Sequence, residues 1–446
     1  MSKTTISRRK LLQAGASAAV LGAVPGALRV ANAQSGFDWK KFKGEKIEVF
    51  LVKSPRGDLL TKHHKEFEDL TGITVGSEMI PEQQQRQKAV IEFNSGNPSF
   101  DIIAISYHVQ KRQFAKNNWL SDLRPMINDK SLAAPDLDFD DFAQGGLNYA
   151  VEKDGRVLSM PFNLDPWVVY YNKEIFDAKG VKYPKTFAEM IDAAAKLNDP
   201  AKGVSGFVGR GLKNANVPVW SSFLLGYGGG FVDANGKLIT DSAEAIEAAK
   251  MYQTLLGKYG PQGVAGFNWN ESQSLFLQGK AAMWLDGIGF AQPLEDPTKS
   301  RIVGKVGYGV MPAGPKKQVS ALFGDGEGIS SYSKKKGPAW FYLQWAANKT
   351  NQTRILQAAA GAPVRKSAYE AAQKSADFKA PKEWVECMLA SAKIAEPGLP
   401  VIVPVTEFRD VFGVALTNMI NGADPAGELK KATAEFQPVL DKSEKG

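Results

Sequence analysis

Hydrophobic positions in the first part of the chain follow two different spacings. Residues 46–52 and 101–105 are short, nearly continuous apolar runs, which are typical of strands buried on both faces of a sheet. Residues 58–70 and 82–93 carry apolar side chains at helical spacing instead. With a further short strand at 73–75, this order predicts parallel β–α–β units joined by right-handed crossovers.

The carboxyl ends of these predicted strands mark a place for a ligand, because ligands bind beyond that edge of an open α/β sheet. The loops that leave the first three strands span residues 53–57, 81–84 and 106–108. Polar side chains in these loops are therefore candidate binding residues. They are Arg56, Gln84, Ser106, Tyr107 and His108.

The amino terminus has the composition of an export signal. A basic segment at 7–12 is followed by a Gly- and Ala-rich apolar stretch at 11–28 and by small residues at 31–33. The Arg8-Arg9 pair predicts a twin-arginine signal that is cleaved after Ala33. No cysteine stands at this junction, so we expect an unlipidated protein of the periplasm.

Removal of this leader changes the apparent charge and sets the size of the mature protein. Residues 1–33 hold five of the 55 Lys and Arg residues and none of the 47 Asp and Glu residues, so the net charge falls from +8 to +3. Binding to nucleic acid is therefore not expected. The 413 residues that remain of 446 exceed the usual size of a single core, which predicts two domains.

Several short segments form a familiar order along the rest of the chain. They are 67–75, 101–103, 119–123, 160–162, 171–176, 184–187, 276–283 and 361–365. Tyr171-Asn172-Lys173 after an apolar strand carries most weight. Together the segments resemble the extracellular solute-binding proteins of sugar-type ABC transporters, the family that includes maltose-binding proteins. The resemblance covers nearly all of the mature chain, although Asn118 stands where that family usually has Gly.

The resemblance implies an α/β fold of two lobes, the periplasmic-binding-protein fold, in which each lobe is a mainly parallel sheet flanked by helices. A hinge joins the lobes and closes over the ligand. We expect chain crossings near Gly146, Tyr308 and Asn348. These crossings divide the chain into lobe I at 34–147, lobe II at 148–307, a return to lobe I at 308–347 and a return to lobe II at 348–446.

The later part of the chain adds candidates that suit a sugar. A sugar presents C–H faces that pack on aromatic rings and hydroxyls that pair with planar polar groups. Loop positions with such side chains, or with glycine that lets the backbone approach a ligand, are candidate contacts. They are Asp165, Trp167, Trp220, Trp284, Asp286, Gly324, Asp325 and Arg365.

The resemblance implies a binding subunit of an ABC importer, which captures a carbohydrate, an oligosaccharide, a polyol or a glycoside and delivers it to the permease subunits in the membrane. We expect a monomer without cofactor or metal, not inserted in the membrane and not an enzyme. Arg56 and Arg365 motivate an alternative, an anionic (sulfonated or phosphorylated) glycoside. Asp165, Asp286 and Asp325 would suit a polyamine. A periplasmic glycoside hydrolase is a remote alternative, because no pair of catalytic carboxyl groups can be assigned.

Overall fold

A computed structural model describes residues 36–152, 154–358, 360–374 and 381–445, so the predicted leader lies outside the described residues. The strands are β1 Lys46–Val52, β2 Thr74–Ile80, β3 Ile102–Ser106, β4 Met160–Asn172, β5 Met283–Gly287, β6 Val306–Gly309, β7 Ser320–Ile329, β8 Ala362–Pro363 and β9 Ala395–Pro397. The helices of the first half are α1 Pro55–Thr71, α2 Glu82–Ser95, α3 Tyr107–Lys116, α4 Arg124–Asn128, α5 Gln144–Ala150, α6 Lys173–Ala178, α7 Phe187–Leu197 and α8 Val217–Gly226. Those of the second half are α9 Ala243–Gln253, α10 Trp269–Leu277, α11 Lys336–Ala346, α12 Lys349–Gln357, α13 Lys366–Gln373, α14 Lys382–Lys393, α15 Val405–Ile420 and α16 Pro425–Lys445.

The first lobe is built on the predicted parallel strands. β1 pairs in parallel with β2 and with β3, and β7 then joins β3 in the antiparallel sense. β1 is buried on both faces, as its continuous apolar run predicts: Val49 packs in one core and Phe50 in the other. Helices α1 and α11 contribute to the first of these cores, and α2 and α3 contribute to the second.

Helix α1 begins earlier than the pattern predicts, and this places a candidate residue. The Ser54 side chain accepts a hydrogen bond from the Gly57 amide at 3.2 Å, and Pro55 occupies the first helical position, where its missing N–H is not needed. Arg56 therefore lies in the first helical turn rather than in a loop. Gly72, at φ +72°, ends the helix in the left-handed conformation that glycine tolerates.

Strand β4 is long enough to belong to both lobes. Its first half pairs with β7 as far as Pro166, and its second half, from Trp167 onward, pairs with β5 and β6. All of these pairings are antiparallel. The sheet that also contains the parallel strands β1, β2 and β3 is therefore mixed. The prediction of a mainly parallel sheet in each lobe therefore needs correction for the second lobe. A run of apolar residues identifies a buried strand but not the direction of its partners.

The second lobe has its own hydrophobic core, formed largely by helices. α7, α8, α9, α15 and α16 pack together there, and every residue of α8 is buried. A helix that is apolar on all sides is typical of such a central position.

The chain passes between the lobes at other places than expected. Val157 and Met160 lie in the first core, so the first crossing falls within β4 and not near Gly146. Tyr308 lies in β6 of the second lobe, and the return occurs through β7. The third crossing comes after Val364, which packs in the first core, and before Trp384, which packs in the second lobe. The lobes share extended strands, so no break in hydrophobic pattern marks these points.

Candidate functional site

A cavity of about 100 Å³ lies between the two lobes, and both lobes line it. The first lobe contributes residues from the ends of its strands and the starts of the following helices, which is the predicted edge. The second lobe contributes aromatic rings and two arginines. The cavity is therefore a site that is complete only when the lobes are together.

Two carboxylates of the cavity have partners that hold them in place. Asp165 accepts a hydrogen bond from the Gly289 amide at 2.9 Å, and burial raises the pKa of Asp165 to about 6. Asp325 accepts a hydrogen bond from Nη2 of Arg56 at 2.8 Å. Arg56 also donates to the Ala360 carbonyl oxygen at 3.2 Å, which fixes the guanidinium group between α1 and the segment before β8. Both carboxylates can accept hydrogen bonds from ligand hydroxyls.

A third carboxyl group, Glu327, has a different electrostatic environment. It lies two residues from Asp325 on β7, between Ala104 of β3 and Met160 of β4, and is 3% exposed. Among the described residues, no Lys, Arg or His makes an ion pair with it. Burial raises the pKa of Glu327 to about 8. At neutral pH this group is mainly a neutral acid, which can donate a hydrogen bond as well as accept one.

Aromatic rings and Arg210 form the wall from the second lobe. Nε of Arg210 donates to Asp286 at 2.9 Å, and a second hydrogen bond joins the same two side chains. The guanidinium group lies 4.9 Å from the ring centre of Trp167 and 5.7 Å from that of Phe290. Trp269 stacks on Phe290 with ring centres 4.9 Å apart. The wall offers flat apolar surfaces for C–H groups.

Ionisable side chains of α2 and α3 surround the opposite side of the cavity. Glu82 bonds to Arg86, and Nη2 of Arg86 donates to Oγ of Ser106 at 2.9 Å. Burial favours the neutral form of Glu82, but the charges of Arg86, Arg210 and Arg409 outweigh this effect and hold its pKa at about 2. Burial and the nearby guanidinium groups lower the pKa of His108 well below its usual value, so this imidazole is neutral.

Six of the predicted site residues line this cavity. They are Arg56, Ser106, His108, Asp165, Trp167 and Asp325. Three of them, Arg56, Ser106 and His108, come from the strand ends where topology alone indicated a ligand. Whether each touches a ligand stays a prediction.

The structure places other predicted residues in the hydrophobic cores. Trp220 and Trp284 are fully buried, and Nε1 of Trp220 donates to the Ala245 carbonyl oxygen at 3.3 Å. Tyr107 stacks on Tyr149 with ring centres 5.3 Å apart, and its hydroxyl bonds to Ser159. Gly324 packs beside these two tyrosines, since a Cβ atom there would lie 3.3 Å from both rings.

The remaining predicted residues contact other parts of the protein. Gln84 is exposed on α2, while the neighbouring Glu82 faces the cavity. Asp286 does not line the cavity but anchors Arg210, which does. Arg365 is bound to the Ala347 carbonyl oxygen at 2.6 Å and lies 4.2 Å above the ring of Phe142, so it stabilises the first lobe.

Sequence reasoning missed several cavity residues with ionisable side chains: Glu82, Arg210, Glu327 and Arg409. Glu82 lies in a loop that the topology had marked, and helical spacing could have preferred it over Gln84. Arg210 and Arg409 come from segments far apart in the chain, with no local motif around them.

None of the described helices combines the length and apolar character needed to cross a membrane. Within the same ranges, no cluster of three or more His, Cys, Asp and Glu side chains is arranged to hold a metal ion.

Comparisons with known proteins agree with this geometry. The family model described as "Bacterial extracellular solute-binding protein" matches residues 55–353. An erythritol/L-threitol-binding protein of Mycolicibacterium smegmatis is 28% identical, over 95% of each chain. A probable amino-acid ABC transporter periplasmic-binding protein of Sinorhizobium fredii is 27% identical, over 74% of each chain.

A solved structure supports the predicted fold class. An ABC-transporter solute-binding protein of Agrobacterium radiobacter K84, in complex with ribitol, superposes with a TM-score of 0.81 and 26% identity. The match covers 89% of this chain and 99% of that one. The prediction of an α/β, two-lobed binding-protein fold is confirmed.

Proposed function

Because the chain belongs to the bacterial extracellular solute-binding protein family, we propose that it is the binding subunit of an ABC importer for a small polyol or sugar. One observation carries the proposal: a cavity closed by both lobes combines aromatic faces with carboxyl and guanidinium groups. This is the combination that a polyhydroxylated ligand requires. The relative named for erythritol or L-threitol and the solved structure in complex with ribitol support the same ligand class.

The size of the cavity narrows the ligand. A volume of about 100 Å³ is below the range of roughly 300–1,000 Å³ that is usual for sites of drug-sized ligands. We therefore propose a compound of about the size of a tetritol, pentitol or single sugar ring, rather than an oligosaccharide. The aromatic wall around Trp167 would pack against its carbon chain, and Asp165, Asp325 and Glu327 would bind its hydroxyls.

We also propose where the protein acts and what recognises it. It would act in the periplasm after loss of residues 1–33, as a monomer whose closed form is recognised by membrane permease subunits. It would bind its ligand without converting it. The polyamine alternative loses support because Asp325 and Asp286 already have guanidinium partners.

A titration of the chain from residue 34 onward tests the proposal. Tetritols, pentitols, hexitols, aldoses, maltose and a mixture of amino acids would be tested by calorimetry and thermal shift. We expect one small polyol or sugar to bind at one equivalent without being consumed. At 100 times its dissociation constant it should add about 2.7 kcal/mol to the free energy of unfolding.

Two variants make this experiment specific for the cavity. Asp165→Asn should weaken the binding about tenfold or more, because it alters a buried hydrogen-bonding group of the site. Asp177→Asn, on the exposed surface of α6, is the matched control and should bind as the natural protein does. Binding confined to amino acids, or equal loss in both variants, would refute the proposal.

A further inference from the structure

Arg409 is a buried cation of the cavity that lacks a carboxylate partner. It extends from α15, is 3% exposed and lines the cavity. Its Nε donates to the Asn214 carbonyl oxygen at 3.0 Å. Throughout the described ranges, no Asp or Glu oxygen lies within ion-pair distance of its guanidinium group. The neighbouring carboxylate of Asp410 accepts a hydrogen bond from Nδ2 of Asn214 instead.

The other arginines that line the cavity or lie next to it differ from Arg409 in this respect. Arg56 pairs with Asp325, Arg86 with Glu82 and Arg210 with Asp286. The adjacent His108 is neutral and adds no countercharge. This corner of the cavity therefore has one positive charge more than its carboxylates balance.

The surrounding structure positions Arg409 firmly. Asn214, whose carbonyl oxygen holds Nε, has φ +74°, a left-handed conformation that is uncommon for a residue other than glycine. The turn at Asn214 approaches α15 so closely that a Cβ atom at Gly413 would lie 2.5 Å from the Asn214 nitrogen.

Burial of a charge that has no carboxylate in direct contact is unfavourable, and its persistence indicates a partner that the protein does not supply. Burial and the charges of Arg86 and Arg210 outweigh the attraction of the more distant carboxylates Glu82 and Asp410, and lower the pKa of Arg409 to about 9. An anion bound beside Arg409 would offset the free-energy cost of burying its charge. Since Nε is engaged, the two Nη atoms are left to bind the oxygens of a planar carboxylate side by side.

The opposite end of the cavity has different requirements. Asp165, Asp325 and Glu327 bring three carboxyl groups together beside Arg56, which pairs with Asp325. These groups suit hydroxyls, and the carboxylate of Asp165, which has no guanidinium group of the described residues in direct contact, would repel a second anion. A complementary ligand thus has hydroxyls along its chain and one negative charge at its end.

We propose that the cavity binds a sugar acid of the aldonate type, with the terminal carboxylate on Arg409 and the hydroxyls on Asp165, Asp325 and Glu327. This inference rests on the proposed function and specifies its ligand class. It also differs from the neutral polyols for which the relatives are named.

Matched pairs of ligands test the inference on the chain from residue 34 onward. Erythritol and erythronate, ribitol and ribonate, and sorbitol and gluconate differ only by a terminal CH₂OH or carboxylate group. Calorimetry should find an aldonate that binds about tenfold or more tightly than the corresponding alditol, as expected for an added charge-assisted pair. Arg409→Gln should abolish this preference, and Arg409→Lys should retain part of it.

Controls separate the inference from the proposed function. Arg301→Gln removes one exposed positive charge away from the cavity and should keep the full preference. Thermal melts without ligand show that each variant is folded. If alditols bind as tightly as aldonates, or if Arg409→Gln retains the preference, the sugar-acid inference is wrong while the polyol function stands. If neither series binds, the proposed function fails with it.

Discussion

At the scale of single residues, position on a strand does not decide the charge of a side chain. Asp325 and Glu327 lie two residues apart on β7, and both line the cavity. Asp325 has the guanidinium group of Arg56 at 2.8 Å, whereas Glu327 has no cationic partner among the described residues. Asp325 can therefore act as an acceptor, while Glu327 at neutral pH can donate a proton to a hydrogen bond.

Glu327 should make the stability of the protein depend on pH. Its pKa is about 8 in the folded protein and near 4.5 when unfolded, so the folded state binds more protons between these values. The contribution of Glu327 to the free energy of unfolding then decreases as pH rises from 4.5 to 8. Relative to Glu327→Gln, the natural protein should lose roughly 2–4 kcal/mol between pH 5 and pH 8.5 in urea denaturation. If the free energy of unfolding changed with pH in the same way in both proteins, the raised pKa of Glu327 would be contradicted.

Chemical type alone was a poor guide to which aromatic residues reach the cavity. Trp220 and Trp284 stand near Asn, Pro or Gly in the sequence, as loop residues do, yet both are fully buried. Trp167 lies in the cavity wall with a similar local sequence. The difference arises from distant helices and strands that pack over each ring, which local sequence does not record. The strand-end rule indicated Arg56 and Ser106, which line the cavity, because the rule depends only on topology.

At the scale of elements, the contact between α15 and the turn at Asn214 should control the position of Arg409. Gly413→Ala would place a Cβ atom 2.5 Å from a backbone nitrogen, which cannot move as a side chain could. We expect a loss of about 1–3 kcal/mol in unfolding free energy, together with weaker ligand binding. Val414→Ala, at an exposed position of the same helix, should change neither. If Gly413→Ala kept the stability and the ligand affinity of the natural protein, the turn at Asn214 would be able to shift without a measurable free-energy cost.

The order of strands and helices in the first lobe could be predicted, but the sheet of the second could not. Continuous apolar runs located β1, β3 and β4 because a doubly buried strand excludes polar residues. The same runs gave no information on direction. The antiparallel pairing of β4 with β5, in which Trp167 lies opposite Gly287, is visible in the structure but not in the sequence. The crossing inside β4 was missed for a related reason, since Met160 and Val168 are equally buried on the two sides of it.

At the scale of the whole molecule, charge holds the two lobes together around the cavity. Glu82 belongs to the first lobe, and its low pKa depends partly on Arg210 and Arg409 of the second. Separation of the lobes would remove these two charges from Glu82 and leave it with Arg86 alone. The attraction therefore favours the closed form even without ligand, and it reduces the free energy that a ligand must supply.

Replacement of Glu82 should accordingly open the ligand-free protein. In Glu82→Gln the attraction to Arg210 and Arg409 is absent, so small-angle X-ray scattering should show a larger radius of gyration than for the natural protein. Saturating ligand should restore the compact form, with an affinity reduced about 5- to 100-fold, the range of a typical coupling free energy. Glu78→Gln, which removes an exposed carboxylate of the same lobe, is the control. An unchanged radius in ligand-free Glu82→Gln would show that packing at the hinge, and not charge across the cavity, sets the resting state.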